Sequence, residues 1–299
     1  MERVSWDRIL TGLDDALDFC RGLGLGQRLE SSRFRDHRAC LGVLVKALQA
    51  GGQDMAKKAF EKDRLRAFTA LSESAELVEI LPFARTVPKE AIRRKLVDVL
   101  KGPPRQTDED QNTNQPRNIL FELNLASKLF RAGLAPELGE HPDILCRVGE
   151  QPVYIHCKRP LSANGAWQAY YRALDQVSTD LASAPRDTRG VVALSITRLI
   201  NPGDRVFIHN DEASGKRDLS AQMEQVAGRL CTTWRPPGPK TIGLLWHAIM
   251  PGFDRRQSLL VVVQHLNVQP TSAPTSPDEL LLQALFSKLR VMWDSKGQS

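Results

Sequence analysis

The sequence predicts an α/β fold: a mixed central sheet flanked by helices, preceded by an all-helical N-terminal region. Three observations point there. Apolar side chains recur at helical spacing from residue 1 to about residue 100. Residues 102–116, Gly-Pro-Pro-Arg-Gln-Thr-Asp-Glu-Asp-Gln-Asn-Thr-Asn-Gln-Pro, hold no apolar side chain outside their prolines and read as a linker or exposed loop. Beyond them strand-like and helical runs follow one another in an order that suits an α/β sandwich. The expected division is a helical region over 1–101, the linker over 102–116 and an α/β domain over 117–299.

In the helical region, Trp6, Ile9, Leu10, Leu13, Ala16, Leu17 and Cys20 form one apolar stripe. Gly22, Gly24 and Gly26 then break the helix. No strand precedes them and no Gly-Lys-Ser/Thr follows, so they read as a cap and turn rather than a phosphate loop. A basic stretch, Arg33 to Arg38, leads into a helix over Ala39–Ala50 that Gly51-Gly52 ends. Met55–Ser72 reads as another helix, Pro82 and Pro88 as punctuation, and Lys89–Leu100 as a helix carrying Arg93, Arg94 and Lys95. Each basic cluster suits either a phosphate backbone or a solvated helix face.

After the linker, a helix runs from Asn118 to about Ala132, with Gly133 as its stop. Short strands over Asp143–Arg147 and Pro152–Cys157 are joined by a Gly149-Glu150 turn. Ala166–Ala182 is helical. Gly190–Ile200 is apolar enough for a strand buried on both faces. Residues 201–219 read as a polar loop and Leu219–Leu230 as a helix. Strands over Thr241–Met250 and Ser258–Val268 and a helix over Asp278–Met292 close the chain.

The bulk numbers narrow the class. The 299 residues are 41% hydrophobic and 25% charged, ordinary values for a globular protein. No apolar run reaches the roughly 20 residues of a membrane span. The first residues, Met1 to Asp7, carry charge where a signal peptide needs an apolar core, so a cytoplasmic location is expected. The five cysteines, Cys20, Cys40, Cys146, Cys157 and Cys231, are scattered without a C-x-x-C pair, which argues against disulfides and a cysteine zinc site. A net charge of +6 is compatible with a nucleic-acid partner without requiring one.

Chemistry concentrates between Asn118 and Arg159. Metal-assisted phosphodiester hydrolysis needs carboxylates for a hard cation and gains from a nearby ammonium. Asp143 opens one strand and Lys158 ends its neighbour. Strand alternation puts Tyr154, His156 and Lys158 on one face and Val153, Ile155 and Cys157 on the other. Glu122 joins Asp143 if its helix packs on the His156 and Lys158 face. Adjacent His156 and Cys157 face opposite ways and so make no thiol–imidazole dyad. The remaining histidines show no metal-binding spacing. Trp234, Trp246 and Trp293 read as core or rim residues.

The pattern Phe121-Glu122-Leu123, Pro142-Asp143 and Ile155-His156-Cys157-Lys158-Arg159-Pro160 resembles the PD-(D/E)XK nuclease superfamily. The resemblance covers roughly residues 117–200 and implies a restriction-endonuclease-like core. It also implies Mg²⁺ or Mn²⁺ as cofactor, Asp143 and Glu122 as metal ligands, and Lys158 as the catalytic lysine. The implied partner is nucleic acid, DNA before RNA, and a homodimer is left open. Proteins of this fold serve in bacterial defence, repair and mobile elements. His156 stands where the family usually has Glu, Asp or sometimes Gln. Three readings follow: a substitute metal ligand that favours Mn²⁺; a contact to water or phosphate; or the mark of a fold that has lost chemistry and kept binding. Arg159 and the stripe Gln168, Arg172 and Gln176, spaced four apart on the next helix, are candidate substrate contacts or surface positions.

Overall fold

The structure is a computed structural model and describes residues 6–203, 207–231, 237–256 and 259–295. Residues 6–99 form five helices: α1 (Trp6–Gly22), α2 (Gly26–Glu30), α3 (Arg33–Lys62), α4 (Arg64–Ala84) and α5 (Lys89–Val99). The stripe of α1 is buried apart from Leu10, which is half-buried, and a Cβ added at Gly12 would lie 2.8 Å from Val78, so α1 approaches α4 closely there. The break at Gly51-Gly52 is real: Gly52 has φ +65°, a conformation that favours glycine. Three boundaries differ from expectation. Helix α3 begins at Arg33, so the basic stretch read as leading into the helix at Ala39 is part of it. The next stop comes at Asp63, whose side chain accepts from Arg66 N and starts α4. Pro82 lies inside the last turn of α4 instead of in a connection.

Residues 102–116 are mostly exposed but pinned at two points. Gln106 is buried in a single 3₁₀ turn, and the enclosed Glu109 carboxylate lies 3.3 Å from Arg117 and 2.7 Å from Arg159.

Helix α6 (Gln115–Arg131) joins the two halves. Its Ile119, Leu120 and Leu123 belong to the core of the helical region, and its Phe121, Leu125, Ala126 and Leu129 to the core beneath the sheet. An apolar surface on several sides is what a buried helix requires. Gly133, at φ +76°, ends it, with Leu134 N bonding to Leu129 O and Gly133 N to Phe130 O, both at 3.0 Å.

The sheet runs β1 (Glu137–Leu138), β2 (Ile144–Val148), β3 (Gln151–Lys158), β4 (Arg189–Ser195) and β6 (Thr241–Asp254) side by side. Strands β5 (Phe207–His209) and β7 (Leu259–Pro270) both pair with β6. Strands β1, β2 and β3 are antiparallel; β4 is parallel to β3 and to β6; β7 is antiparallel to β6. The sheet is therefore mixed. Helices α7 (Ala163–Ser183) and α9 (Glu212–Cys231) cover one face, and α6 and α10 (Pro277–Ser295) the other. No helix among the described residues is long and apolar enough to cross a membrane.

Several short elements were not expected. Strand β4 ends at Ser195, and Ile200 belongs to a helical turn, α8 (Thr197–Ile200). Helix α9 begins at Glu212, inside the stretch read as loop, because Asp211 accepts from Ser214 N at 2.8 Å and so caps it. Strand β5 has three residues and forms only by pairing with the far end of β6. Trp246 is a core residue, buried in the α7 and α9 layer. Trp234 and the side chain of Trp293 lie outside the described residues.

Candidate active site

The hairpin of β2 and β3 builds one end of the site. Ile144 pairs with Ile155, so Asp143, just before β2, comes level with His156. Asp143 Oδ2 accepts a hydrogen bond from Cys157 N at 2.8 Å. Lys158 Nζ lies 3.8 Å from the same oxygen and His156 Nδ1 lies 3.9 Å from it. The expected alternation holds: Val153, Ile155 and Cys157 enter the α6 core, and burial drives the Cys157 thiol well up, so it is no nucleophile.

Glu122 arrives by a different route from the one expected. Helix α6 packs on the Cys157 face, not on the face of His156 and Lys158, because its apolar positions Phe121, Leu125 and Leu129 meet Val153, Ile155 and Cys157. The Glu122 carboxylate comes to the sheet end from that side. Asn118, one turn earlier, donates to Glu122 Oε1 at 2.8 Å and to Cys157 O at 3.4 Å, linking helix to strand. Lys95, from α5, donates to Glu122 Oε2 at 2.9 Å. Burial raises the Glu122 carboxyl and the charge of Asp143 adds to that, while Lys95 and Lys158 pull it down.

His156 is enclosed. Its side chain has no exposed surface, and Nε2 lies 2.9 Å from Asp180 Oδ2 on α7. Burial lowers its pKa against the opposing pull of Asp143 and Asp180. A direct contact to substrate phosphate is therefore not available to this ring as it stands.

No group of three His, Cys, Asp or Glu side chains among the described residues is arranged to hold a metal ion. The three expected ligands, Asp143, Glu122 and His156, do not form one cage. Asp143 and Glu122 are near enough to feel each other's charge, and two carboxylates with waters retained would suit the open coordination of Mg²⁺.

The expected substrate contacts separate. Arg159 is 6% exposed and turned inward, donating to Glu109 Oε2 at 2.7 Å, to Asn114 Oδ1 at 3.0 Å and to Gln106. A phosphate would have to displace these partners. On α7, Arg172 is exposed, Gln168 is half-buried, and Gln176 has a buried Oε1 without a hydrogen-bond partner.

Three residues at this site escaped the sequence reading: Lys95, Asn118 and Asp180. Asn118 was within reach of it, since it lies four residues before Glu122 on one helix. Lys95 had the appearance of one charge in a basic cluster. Asp180 carried no signal.

A second ionic cluster lies beside the first. Glu73 on α4 pairs with Arg33 at 2.6 Å and with Arg117 on α6, with His37 3.6 Å away. Burial works against the Glu73 charge, but Arg117 and Arg33 overcome it and hold the carboxyl well below its usual range. Its neighbour Glu76 is pushed up to about 8, by burial first and then by Glu73. Glu73, Glu76, Arg117, Arg159 and Ser195 line a small recess between α4, α6 and β4.

Compared with models of protein families, with curated proteins and with solved structures, the chain gives no significant match to any.

Proposed function

We propose that this chain is a metal-dependent nuclease with a restriction-endonuclease-like core, acting on nucleic acid, DNA before RNA. The observation that carries the reading is the meeting of two acids and a lysine at one sheet end. Asp143 stands just before β2, Glu122 comes from α6, and Lys158 Nζ lies 3.8 Å from Asp143. The mixed sheet with helices on both faces supports it as the kind of scaffold the sequence motif belongs to. When bound, Mg²⁺ or Mn²⁺ polarises the scissile phosphate and lowers the pKa of a water. Asp143 and Glu122 would hold that cation. Lys158 orients the attacking water or neutralises charge as it develops. Asp143 is steadied for its task by the Cys157 N–H, and Glu122 by Asn118.

The test is cleavage of plasmid DNA with Mn²⁺ or Mg²⁺ by the wild type, Lys158→Ala and Asp143→Asn. Each substitution is expected to remove at least about 100-fold of the activity. Metal-dependent cleavage that survives both would exclude this site.

A second reading, a nuclease fold kept for binding or assembly, is favoured by one observation. The acid position of the motif is occupied by His156, and that ring lies enclosed, its Nε2 2.9 Å from Asp180. DNA binding without Mg²⁺ or Mn²⁺ binding in calorimetry would select it.

A further inference from the structure

Lys95 enters the site from outside the stretch that carries its other charges. It sits on α5, whose Ile92, Leu96 and Val99 are buried in the same core as Ile119, Leu120 and Leu123 of α6. That packing fixes where the lysine begins. Its ammonium ends 2.9 Å from Glu122 Oε2, and the other carboxylate oxygen is taken by Asn118. Both Glu122 oxygens thus already have N–H donors, and one donor is a full positive charge. Lys158 differs: at 3.8 Å from Asp143 it is beyond hydrogen-bond distance.

A divalent cation binds a carboxylate oxygen at about 2.0–2.1 Å. Sharing Oε2 with an ammonium at 2.9 Å would bring like charges within a few Å in a partly buried site, where the repulsion is weakly screened. We propose that Lys95 is a resident cation that competes with the divalent metal for Glu122, so that metal binding requires the ammonium to swing away. The inference rests on the nuclease reading. The geometry permits the exchange, because the Lys95 side chain is 18% exposed, against 5% for Glu122. A flexible four-carbon stem can carry its charge out to water while the helix stays in place. The helical region then acts on the site directly, through Lys95 of α5.

The experiment is Mn²⁺ titration calorimetry on the full chain, with melting temperature as a second readout. Lys95→Met keeps the stem and removes the charge. It is expected to bind Mn²⁺ at least about tenfold tighter than wild type, and its melting temperature should rise more on adding Mn²⁺. Lys95→Gln, which keeps an N–H donor, should fall between the two and stands in if Lys95→Met does not fold. Asp143→Asn should lose Mn²⁺ binding, which locates the ion at this site. Mn²⁺ binding to wild type with equal or weaker binding to Lys95→Met and Lys95→Gln would overturn the competition and leave the nuclease reading standing. Absence of Mn²⁺ binding in wild type and both lysine variants would overturn both.

Discussion

Two ionic clusters lie side by side in this molecule and are built to different standards. Around Glu73, the cations are arginines, the Arg33 contact is 2.6 Å and the side chains are 0–4% exposed. Around Asp143 and Glu122, the cations are lysines. The Lys158 and His156 contacts stretch to 3.8 and 3.9 Å, and the lysines are 18–20% exposed. Arginine offers a fixed fork that is always charged, whereas lysine offers a point charge on a flexible stem. The first cluster fastens α3, α4 and α6 together. In the second, Lys95 bonds Glu122 at 2.9 Å while Lys158 and His156 stay beyond hydrogen-bond distance of Asp143, so part of its charge is loosely engaged, as a site that must exchange partners requires. The Glu122 carboxyl is raised while that of Glu73 is held well below its usual range, which is the same contrast expressed in protons.

Breaking the fastener should have the largest effect on stability. Glu73→Ala leaves Arg33 and Arg117 buried without their shared partner, and removing one side of a buried ion pair costs about 3–5 kcal/mol. Urea denaturation measures it. A loss below about 1 kcal/mol would mean that the two clusters are alike.

His156→Glu comes next and tests the loose cluster from its enclosed side. The motif alone argues that restoring an acid at this position strengthens Mg²⁺ binding. The structure argues otherwise: the new carboxylate would take the place of a ring 2.9 Å from Asp180 and 3.9 Å from Asp143. Three buried acids in contact should cost about 1–3 kcal/mol, and Mg²⁺ affinity should rise only when Asp180→Asn is added. A single His156→Glu variant that is as stable as wild type and binds Mg²⁺ more tightly would show that Asp180 does not govern this position.

Much of this geometry follows from local chemistry. The stop at Gly133, the β2–β3 hairpin and the level placement of Asp143 and His156 needed only turn residues and strand alternation. The face chosen by Glu122 did not follow. Helix α6 is apolar on several sides, so its pattern singles out no unique inward face, and the choice is made by which core claims which side. Lys95 and Asp180 reach the site through the packing of α5 and α7, a long-range effect that no local spacing records. Strand β5 is held only by the last residues of β6. The cap Asp211-x-x-Ser214 at α9, by contrast, was in the sequence, masked by the polar run around it.

A pH titration separates the clusters more gently. Glu76, beside Glu73, is raised from 4.5 to about 8. Between those values the folded state keeps a proton that the unfolded state has lost, so stability falls as pH rises from about 4.5 to about 8 and then levels. Glu76→Gln should flatten that part of the profile. An unchanged slope would assign the pH dependence to other groups.

Lys158→Ala should have the smallest effect on stability, and that is its value. The ammonium is 20% exposed and beyond hydrogen-bond distance from Asp143, so its loss should change the unfolding free energy by less than about 0.5 kcal/mol. If cleavage falls at least about 100-fold in the same variant, the charge serves the reaction and not the fold. If instead stability falls by as much as about 3–5 kcal/mol, as in Glu73→Ala, the second cluster is also a fastener, and the distinction between locked arginines and mobile lysines fails. Measuring unfolding and cleavage on one preparation decides between these, because the arginines and the lysines are matched in sign and differ in how tightly the fold has engaged them.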